Sequence, residues 1–353
     1  RARFTYEKIL SRLEPPAYYV SRPADEEAVS RVLSAQSKYR GIVITGIGGS
    51  GKTTLAKVTV RSEVLYGDFL ARYDDILWVS CEKLDFSEIV AALANECGVA
   101  FQENSKHLQF FIRKKLQSKA VLLVLDSLDE LENIRPLLAL LGNDKSKLVI
   151  SSRKVPNTAF LAELHLKHHR LDQGLSLSKI EVLNKKITGV SVEKNEREAV
   201  RYLVQETKGL PLAWVILCSL VEETKESWVN VQKRFKLEML ESGIKNTKHN
   251  SIGVSFQLSL DRIYEKHVSA GLLFSILGIF RFSENFIYPL EKIYKKLRSE
   301  TLESDLATLS RYGLIDVHKI RGLRLITAHS LLHRYAQGMS QVYRGEGFLC
   351  RKI

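Results

Sequence analysis

The chain has 353 residues, of which 45% are hydrophobic and 26% charged, so long disordered, collagen-like and low-complexity stretches are excluded. At about 100–200 residues per domain, this length predicts two or three domains. Lysine and arginine total 53 against 40 acidic residues, which gives a net charge of +13. Because the basic residues are scattered along the chain, we interpret them as solvated basic faces; a nucleic-acid binding surface is the alternative.

The apolar segments and the cysteines point to a cytoplasmic chain. The longest apolar runs, such as Gly271 to Phe280, have about ten residues and fall short of the roughly 18 that span a bilayer, so we expect no transmembrane helix. The start lacks the apolar core of a signal peptide, and we expect a piece of a longer protein. Cys81, Cys97 and Cys218 lie in apolar segments without metal-type spacing, which is typical of buried thiols in a reducing compartment.

The first half of the chain predicts a parallel sheet wrapped by helices. A lead-in segment, residues 1–19, holds a possible helix from Tyr6 to Leu13, and helical spacing follows from Asp25 to Ala35. Short continuous apolar runs, typical of strands covered on both faces, then alternate with helical patterns. The strands are expected at Gly41–Thr45, Ile76–Ser80, Ala120–Leu125, Lys147–Ser151 and, more weakly, His169–Leu171; the helices are expected at Thr53–Leu65, Ser87–Cys97, Ser105–Lys119 and Ile134–Leu141. We assign residues 20–172 to this α/β domain.

The second half predicts two further domains. Helical patterns at Leu175–Ile187, Glu196–Lys208, Pro211–Glu223 and Trp228–Leu240 indicate an all-helical domain over residues 173–242. The polar stretch from Gly243 to Asn250 is interpreted as a linker. More helices are followed by two β-like runs, Leu314–His318 and Leu323–Thr327, which indicate a winged-helix domain over residues 243–343. Residues 344–353 are expected to begin a further region.

One motif between the first strand and the first helix of the α/β domain is typical of phosphate binding. It reads Gly46-Ile47-Gly48-Gly49-Ser50-Gly51-Lys52-Thr53-Thr54 and satisfies the G-x-x-x-x-G-K-[ST] pattern in full. Glycines let backbone N–H groups surround phosphate oxygens, and the helix N-terminus adds partial positive charge. Lys52 supplies a cation for the β- and γ-phosphates, and the Thr53 hydroxyl is a Mg²⁺ ligand.

Polar residues at the ends of two later strands complete this predicted site. Asp126 ends a buried strand, where a carboxylate needs a cation or hydrogen-bond partner, so we expect it to hold Mg²⁺. Asp129 or Glu130 could orient an attacking water; the alternative is that both are acids at a helix N-terminus. Arg153 follows the next strand and could reach the γ-phosphate, although it could also be a surface arginine.

With these residues, the chain resembles the NB-ARC family of signal-transduction ATPases, which includes plant disease-resistance proteins and apoptotic-protease activators. The phosphate loop, the strand ending at Asp126, the strand ending before Arg153 and the Gly209-Leu210-Pro211-Leu212-Ala213 motif carry the resemblance. It implies an α/β P-loop domain, a helical domain and a winged-helix domain, with ADP, ATP or dATP and Mg²⁺ as cofactors. It also implies cytoplasmic localisation, nucleotide-controlled self-association, and effector and sensor domains elsewhere in the full-length chain.

The resemblance also implies which further residues contact the nucleotide. Val20, Ser21 and Arg22 correspond to a Val-Gly-Arg segment near the adenine. Pro211, with Leu212 beside it, corresponds to a proline that packs against the base and sugar. His329 corresponds to a histidine that contacts the β-phosphate of ADP, but the flanking family residues are replaced by Ala328 and Ser330; a purely structural histidine is the alternative.

Together these features predict a slow ATPase that acts as a switch: closed with ADP and open with ATP. The alternative is a DNA-binding P-loop ATPase, of the transcription-regulating or origin-binding type, whose winged helix reads DNA. The helix expected at Thr301–Tyr312 argues against it, because this helix carries Glu303 and Asp305 and only Arg311 as a base. A metabolic kinase is a third possibility, but the sequence shows no acceptor site.

Overall fold

The computed structural model describes residues 10, 13–66, 72–99, 105–241, 250–280, 284–296, 301–320 and 323–345. The chain divides into two compact units, Arg1–Asp172 and Gln173–Ile353. Four parts of the chain that figure in the predictions lie outside the described residues: most of the predicted Tyr6–Leu13 helix, residues 243–249 of the predicted linker, residues 321–322 between the two β-like runs, and residues 346–353.

The first unit is a five-stranded parallel sheet in the order β2-β3-β4-β1-β5. Its strands are β1 (Gly41–Thr45), β2 (Asp75–Ser80), β3 (Val121–Asp126), β4 (Lys147–Ser152) and β5 (Leu166–Arg170). Its helices are α1 (Pro23–Leu33), α2 (Lys52–Tyr66), α3 (Phe86–Glu96), α4 (Ser105–Leu116), α5 (Ile134–Leu141) and α6 (Thr158–Glu163). The predicted alternation of strands and helices is confirmed.

The sheet is buried on both faces, which explains the continuous apolar runs. Along β3, Leu123 and Leu125 pack on one side with Ile89 of α3, whereas Leu122 packs on the other side with Leu55 of α2. The register of the parallel strands aligns the carboxyl ends of β1, β3 and β4. Thr45 of β1 pairs with Ser152 of β4, and Leu125 of β3 pairs with Ile150 of β4. Residues that follow these strands therefore share one edge of the sheet.

The second unit combines a helical region with a small antiparallel sheet. Its helices are α7 (Leu177–Thr188), α8 (Arg197–Thr207), α9 (Pro211–Thr224), α10 (Trp228–Glu241), α11 (Asn250–Lys266), α12 (Val268–Leu277), α13 (Tyr288–Lys296), α14 (Leu302–Arg311) and α15 (Ser330–Gly345). Its strands are β6 (Glu284–Phe286), β7 (Asp316–Ile320) and β8 (Leu323–Thr327), in the order β6-β8-β7. Helices closed by such a sheet form a winged helix, as the sequence predicts.

The helical and winged-helix parts pack closely within the second unit. The turn at Gly313 has a positive φ of 68°, and a Cβ there would lie 3.0 Å from the Ser219 hydroxyl of α9. Arg311 Nε lies 3.0 Å from a Glu223 carboxylate oxygen. The predicted domain boundary at residues 242 and 243 stays a prediction.

Several predicted boundaries are wrong by a few residues, and two short elements were not predicted. β5 begins at Leu166 instead of His169, because as an edge strand its middle is polar and carries no continuous apolar run. The helix α6 and the strand β6 have six and three residues, too few to show a periodic pattern.

Two expectations about apolar segments and thiols are met by the described residues. No helix among them has an apolar stretch long enough to cross a bilayer. Cys81, Cys97 and Cys218 are buried and unbridged, as predicted. Burial raises the pKa of the Cys97 thiol to about 11 and raises those of the other two thiols as well, so all three are poor nucleophiles at neutral pH.

Candidate functional site

The loop between β1 and α2 has a backbone shape that requires glycine. Gly49 and Gly51 have φ angles of 78° and 94°, in the left-handed region that other residues rarely adopt. At Gly46, a Cβ would lie 2.7 Å from the Leu171 carbonyl oxygen, so this position has no room for a side chain. The loop leads directly into α2 at Lys52, which gives it the N–H groups of a helix N-terminus.

The side chains of this loop show what it can bind. Lys52 is buried, and its Nζ donates hydrogen bonds of 2.9 Å to the Gly46 and Ile47 carbonyl oxygens. Ser50 is 3% exposed, and its buried hydroxyl has no hydrogen-bond partner among the described residues. A buried hydroxyl is costly without a partner, and this one belongs to the same loop as a buried cation. The two groups together fit an anionic ligand with several oxygens. Phosphate meets that description.

We expect phosphate binding to weaken at alkaline pH. Burial lowers the pKa of Lys52 to about 8, against the opposing effect of Asp126. A bound phosphate favours the charged ammonium, so affinity should be constant well below this pKa and fall up to about tenfold per pH unit above it. Titration with a fluorescent ADP analogue at about pH 7 and about pH 9 measures the fall. Lys52→Arg, which stays charged, should flatten the profile; an unchanged wild-type affinity at the higher pH would contradict this role.

Asp126 and Thr53 meet at the end of β3. The Thr53 hydroxyl donates to Asp126 Oδ1 at 2.8 Å, and the Ser151 hydroxyl donates to the same oxygen at 2.5 Å. Ser127, with a φ of 59°, donates its N–H to the Ser151 hydroxyl at 2.8 Å and so holds the strand end in place. A carboxylate and a hydroxyl at the phosphate loop are the oxygen donors that Mg²⁺ prefers, so these residues fit the expected metal.

Asp129 and Arg153 form a pair that the sequence analysis did not predict. Asp129 accepts hydrogen bonds from the Arg153 backbone N–H at 2.9 Å and from Nε at 2.7 Å, and Nη2 also contacts it. Burial opposes ionisation of Asp129, but these hydrogen bonds outweigh it and hold its pKa below the usual value. Glu130 is exposed and lies 3.4 Å from Lys154 Nζ. Asp129 is therefore ionised and engaged by the arginine in this structure.

The segment before α1 also contacts the phosphate loop. Arg22 is buried and donates from Nη1 to the Ser50 carbonyl oxygen at 3.0 Å, while its Nε lies 3.1 Å from Asp25 Oδ2. Asp25 in turn lies 2.9 Å from His169 Nε2 on β5. Val20 is half-buried and Ser21, which is exposed, bonds a carboxylate oxygen of Glu26 at 2.9 Å. Asp25 and His169 were not predicted from the sequence, because nothing in their spacing links α1 to an edge strand.

The remaining predicted residues lie in the second unit. Pro211 and Leu212 are the first residues of α9 and are half-buried. Gly209, with a φ of 63°, accepts a hydrogen bond from the Leu175 N–H at 2.7 Å and fixes the turn before them. His329 is exposed and precedes α15, and its Nδ1 accepts the Leu331 N–H at 3.2 Å. That bond places the ring proton on Nε2, which makes Nε2 a hydrogen-bond donor.

The parallel sheet, its phosphate loop and the Thr53–Asp126 pair define a P-loop NTPase domain. Residues 23–184 match the family described as NB-ARC domain. The chain thus carries an NB-ARC domain, and NB-ARC domains bind nucleotide.

The curated relatives are plant disease-resistance proteins. The chain is 25% identical over 250 residues to the disease resistance protein At1g59780 of Arabidopsis thaliana; this match covers 67% of the chain and 26% of that protein. It is 22% identical over 269 residues to the disease resistance protein RF9 of the same plant, covering 70% of the chain and 25% of RF9. The chain is a distant homologue of these proteins and matches about a quarter of their length.

Two of the solved structures with some similarity are of Aeropyrum pernix proteins. The ORC1 protein, solved in complex with DNA, has a TM-score of 0.47 and 14% identity, with 97% of each chain covered. The ORC2 protein, solved as ADPNP–ADP complexes, has a TM-score of 0.38 and 12% identity, with 96% of this chain and 98% of that chain covered.

Proposed function

We propose that the chain is the nucleotide-dependent switch of a cytoplasmic immune or cell-death receptor, closed with ADP and open with ATP, and a slow ATPase. The buried Lys52 and Ser50 within the phosphate loop of an NB-ARC domain are the observation that carries the proposal. ADP, ATP or dATP would supply phosphate oxygens to this loop, and Mg²⁺ would offset their charge. Effector and sensor domains of the full-length protein, and self-association, belong to the same proposal.

In this proposal Arg153 distinguishes the two nucleotides. Its guanidinium is held by Asp129 in the structure, and it could instead bind the extra charge of a γ-phosphate. ATP would therefore favour the state in which Arg153 leaves Asp129, and ADP the state in which the pair is intact. Released Asp129 and exposed Glu130 both remain candidates to orient water, and hydrolysis would return Arg153 to Asp129.

Replacement of Arg153 tests this discrimination. Arg153→Ala should weaken ATP binding about ten- to 100-fold, since it removes a charge-assisted contact, and should leave ADP binding within about threefold. Competition of ATP and ADP against a fluorescent nucleotide measures both affinities. Arg135→Ala is the matched control, because Arg135 is an exposed arginine of the same unit that pairs with Glu163. Equal losses for both nucleotides would contradict a role in sensing the third phosphate.

His329 is proposed to hold the closed state through the β-phosphate of ADP. Its Nε2–H, set by the Leu331 contact, is a suitable donor to a phosphate oxygen. His329→Ala should release ADP faster, so that the purified variant retains less ADP than the wild type. Nucleotide content after purification measures this, with the exposed His318→Ala as control. Unchanged ADP retention would leave His329 with only its structural role before α15.

The DNA-binding alternative gains no support from the winged helix. The exposed Glu303 of α14 forms an ion pair with Arg324 of β8, in which Oε2 lies 2.7 Å from Nη1. Arg324 Nη2 also lies 3.2 Å from Glu291 Oε1. A groove-reading helix instead presents basic or amide side chains that are available to bases. A salt-dependent titration with duplex DNA separates the two functions, because only a DNA-binding protein should show a steep loss of affinity with salt.

A further inference from the structure

The helix α4 exposes two phenylalanines that no part of the proposed switch uses. Phe110 is 62% exposed and Phe111 is 41% exposed, and their ring centroids lie 5.6 Å apart in an edge-to-face arrangement. The opposite face of the helix, with Leu108, Ile112 and Leu116, is buried in the core of the first unit. The outer face is thus held in a fixed position, and the two rings form a compact apolar projection on it.

Basic side chains surround these rings. One turn of helix separates Phe110 from Lys106 and Lys114, and the same spacing separates Phe111 from His107 and Lys115. All four of these basic side chains are exposed, as is Arg113 between them. The sequence contains no aspartate or glutamate from Ser105 to Ala120. Lys115 also donates to the Gly98 carbonyl oxygen at 3.1 Å, a neutral acceptor that leaves the positive charge in place.

The exposed face of α4 combines two aromatic side chains with basic side chains of the same helix. Such a face is complementary to a surface whose outer layer is anionic and whose interior is apolar. We propose that the outer face of α4 binds anionic lipid bilayers, with Phe110 and Phe111 entering the interface and the lysines contacting lipid phosphates. Amphipathic helices of this composition bind membrane surfaces through apolar insertion and attraction to anionic lipid together. The face would then bring the nucleotide-binding unit to a membrane without crossing it.

The shape of this face favours lipid over nucleic acid or an acidic protein. It is the convex side of one helix, and a fluid bilayer deforms to fit a convex surface. Proteins that stack bases on aromatic rings do so within a positively charged groove. The edge-to-face contact between Phe110 and Phe111 also covers part of one ring face. A folded partner would need a complementary concave surface to bury both rings.

A tryptophan placed at Phe110 reports contact with lipid directly. With the whole 353-residue chain, Phe110→Trp should shift its emission to shorter wavelength with vesicles of phosphatidylcholine and about one-third phosphatidylserine, and brominated lipid should quench it. Tyr66→Trp, at a residue that is 86% exposed, is the matched control and should show neither effect. Of the three native tryptophans, Trp214 and Trp228 are buried and Trp78 is half-buried against the core, so the native emission should stay unquenched. No quenching of the Phe110→Trp variant would overturn the proposal.

Sedimentation with the same vesicles separates the two contributions, and circular dichroism checks folding. Phe110→Ser/Phe111→Ser should bind about tenfold more weakly, and Lys106→Glu/Lys114→Glu on the order of 100-fold more weakly, at unchanged helix content. Vesicles of phosphatidylcholine alone should not bind. Equal binding by all variants, or binding to single-stranded RNA in place of vesicles, would overturn the assignment to lipid. None of these measurements depends on nucleotide, so failure here leaves the proposed switch untouched.

Discussion

Replacement of Lys52 by alanine should abolish nucleotide binding without lowering the stability of the ligand-free protein. The ammonium is the cation of the phosphate loop, and loss of one partner from a buried charge pair costs about 2–5 kcal/mol, roughly a 30- to 5,000-fold loss of affinity. Burial disfavours the charged form of Lys52 and lowers its pKa to about 8. Removing that charge therefore relieves an unfavourable burial, and the melting temperature without nucleotide should not fall.

Titration with a fluorescent ADP analogue, together with thermal unfolding, measures both parts of this result. Lys57→Ala is the matched control, because Lys57 lies on α2 and is half-buried, and its side chain makes no hydrogen bond or ion pair with the described residues. The control should bind ADP as the wild type does. Wild-type affinity in Lys52→Ala would show that the loop does not hold phosphate through this lysine.

The second large effect is expected at Asp126. Asp126→Asn keeps an oxygen that can accept from the Thr53 and Ser151 hydroxyls, so the fold of the strand end should persist. It removes the negative charge that a divalent cation needs. We expect Mg²⁺-dependent ATP hydrolysis to fall by roughly 100-fold or more, while nucleotide binding in the presence of a chelator stays within a few-fold of the wild type.

Phosphate release and binding with Mg²⁺ or chelator test this result. Asp144→Asn is the control, because Asp144 is an exposed carboxylate before β4. Hydrolysis at the wild-type rate in Asp126→Asn would remove Asp126 from the metal site. A loss of nucleotide binding even with chelator would indicate that the carboxylate acts on the loop through Thr53 instead.

The sheet and the phosphate loop could be predicted because their signals are local. Continuous apolar runs indicate buried strands, and the loop's glycines and lysine lie next to one another in sequence. The described positions of Gly49, Gly51 and Lys52 agree with the shape that the motif predicts. Strand β5 and helix α6 were harder to predict, since an edge strand or a six-residue helix buries little apolar surface.

The Asp129–Arg153 pair could not be predicted because it depends on two strands being neighbours. Each residue follows a different strand, β3 or β4, and their side chains meet only when those strands pair in parallel. From the sequence, Asp129 is therefore predicted separately as an acid that orients water, and Arg153 as a ligand of the γ-phosphate. The Arg22 contact also depends on the fold, because Arg22 donates to the carbonyl oxygen of Ser50, 28 residues further along the chain. The family resemblance placed Arg22 near the adenine.

The measurement that tests the central claim most directly is nucleotide extraction from the purified chain, followed by chromatography and titration with Mg-ADP. We predict that the chain carries ADP, or takes up about one equivalent, and that Lys52→Ala carries none. A wild-type chain that binds no nucleotide under saturating Mg-ADP would contradict the account, because the buried Lys52 and Ser50 would then have no phosphate to bind.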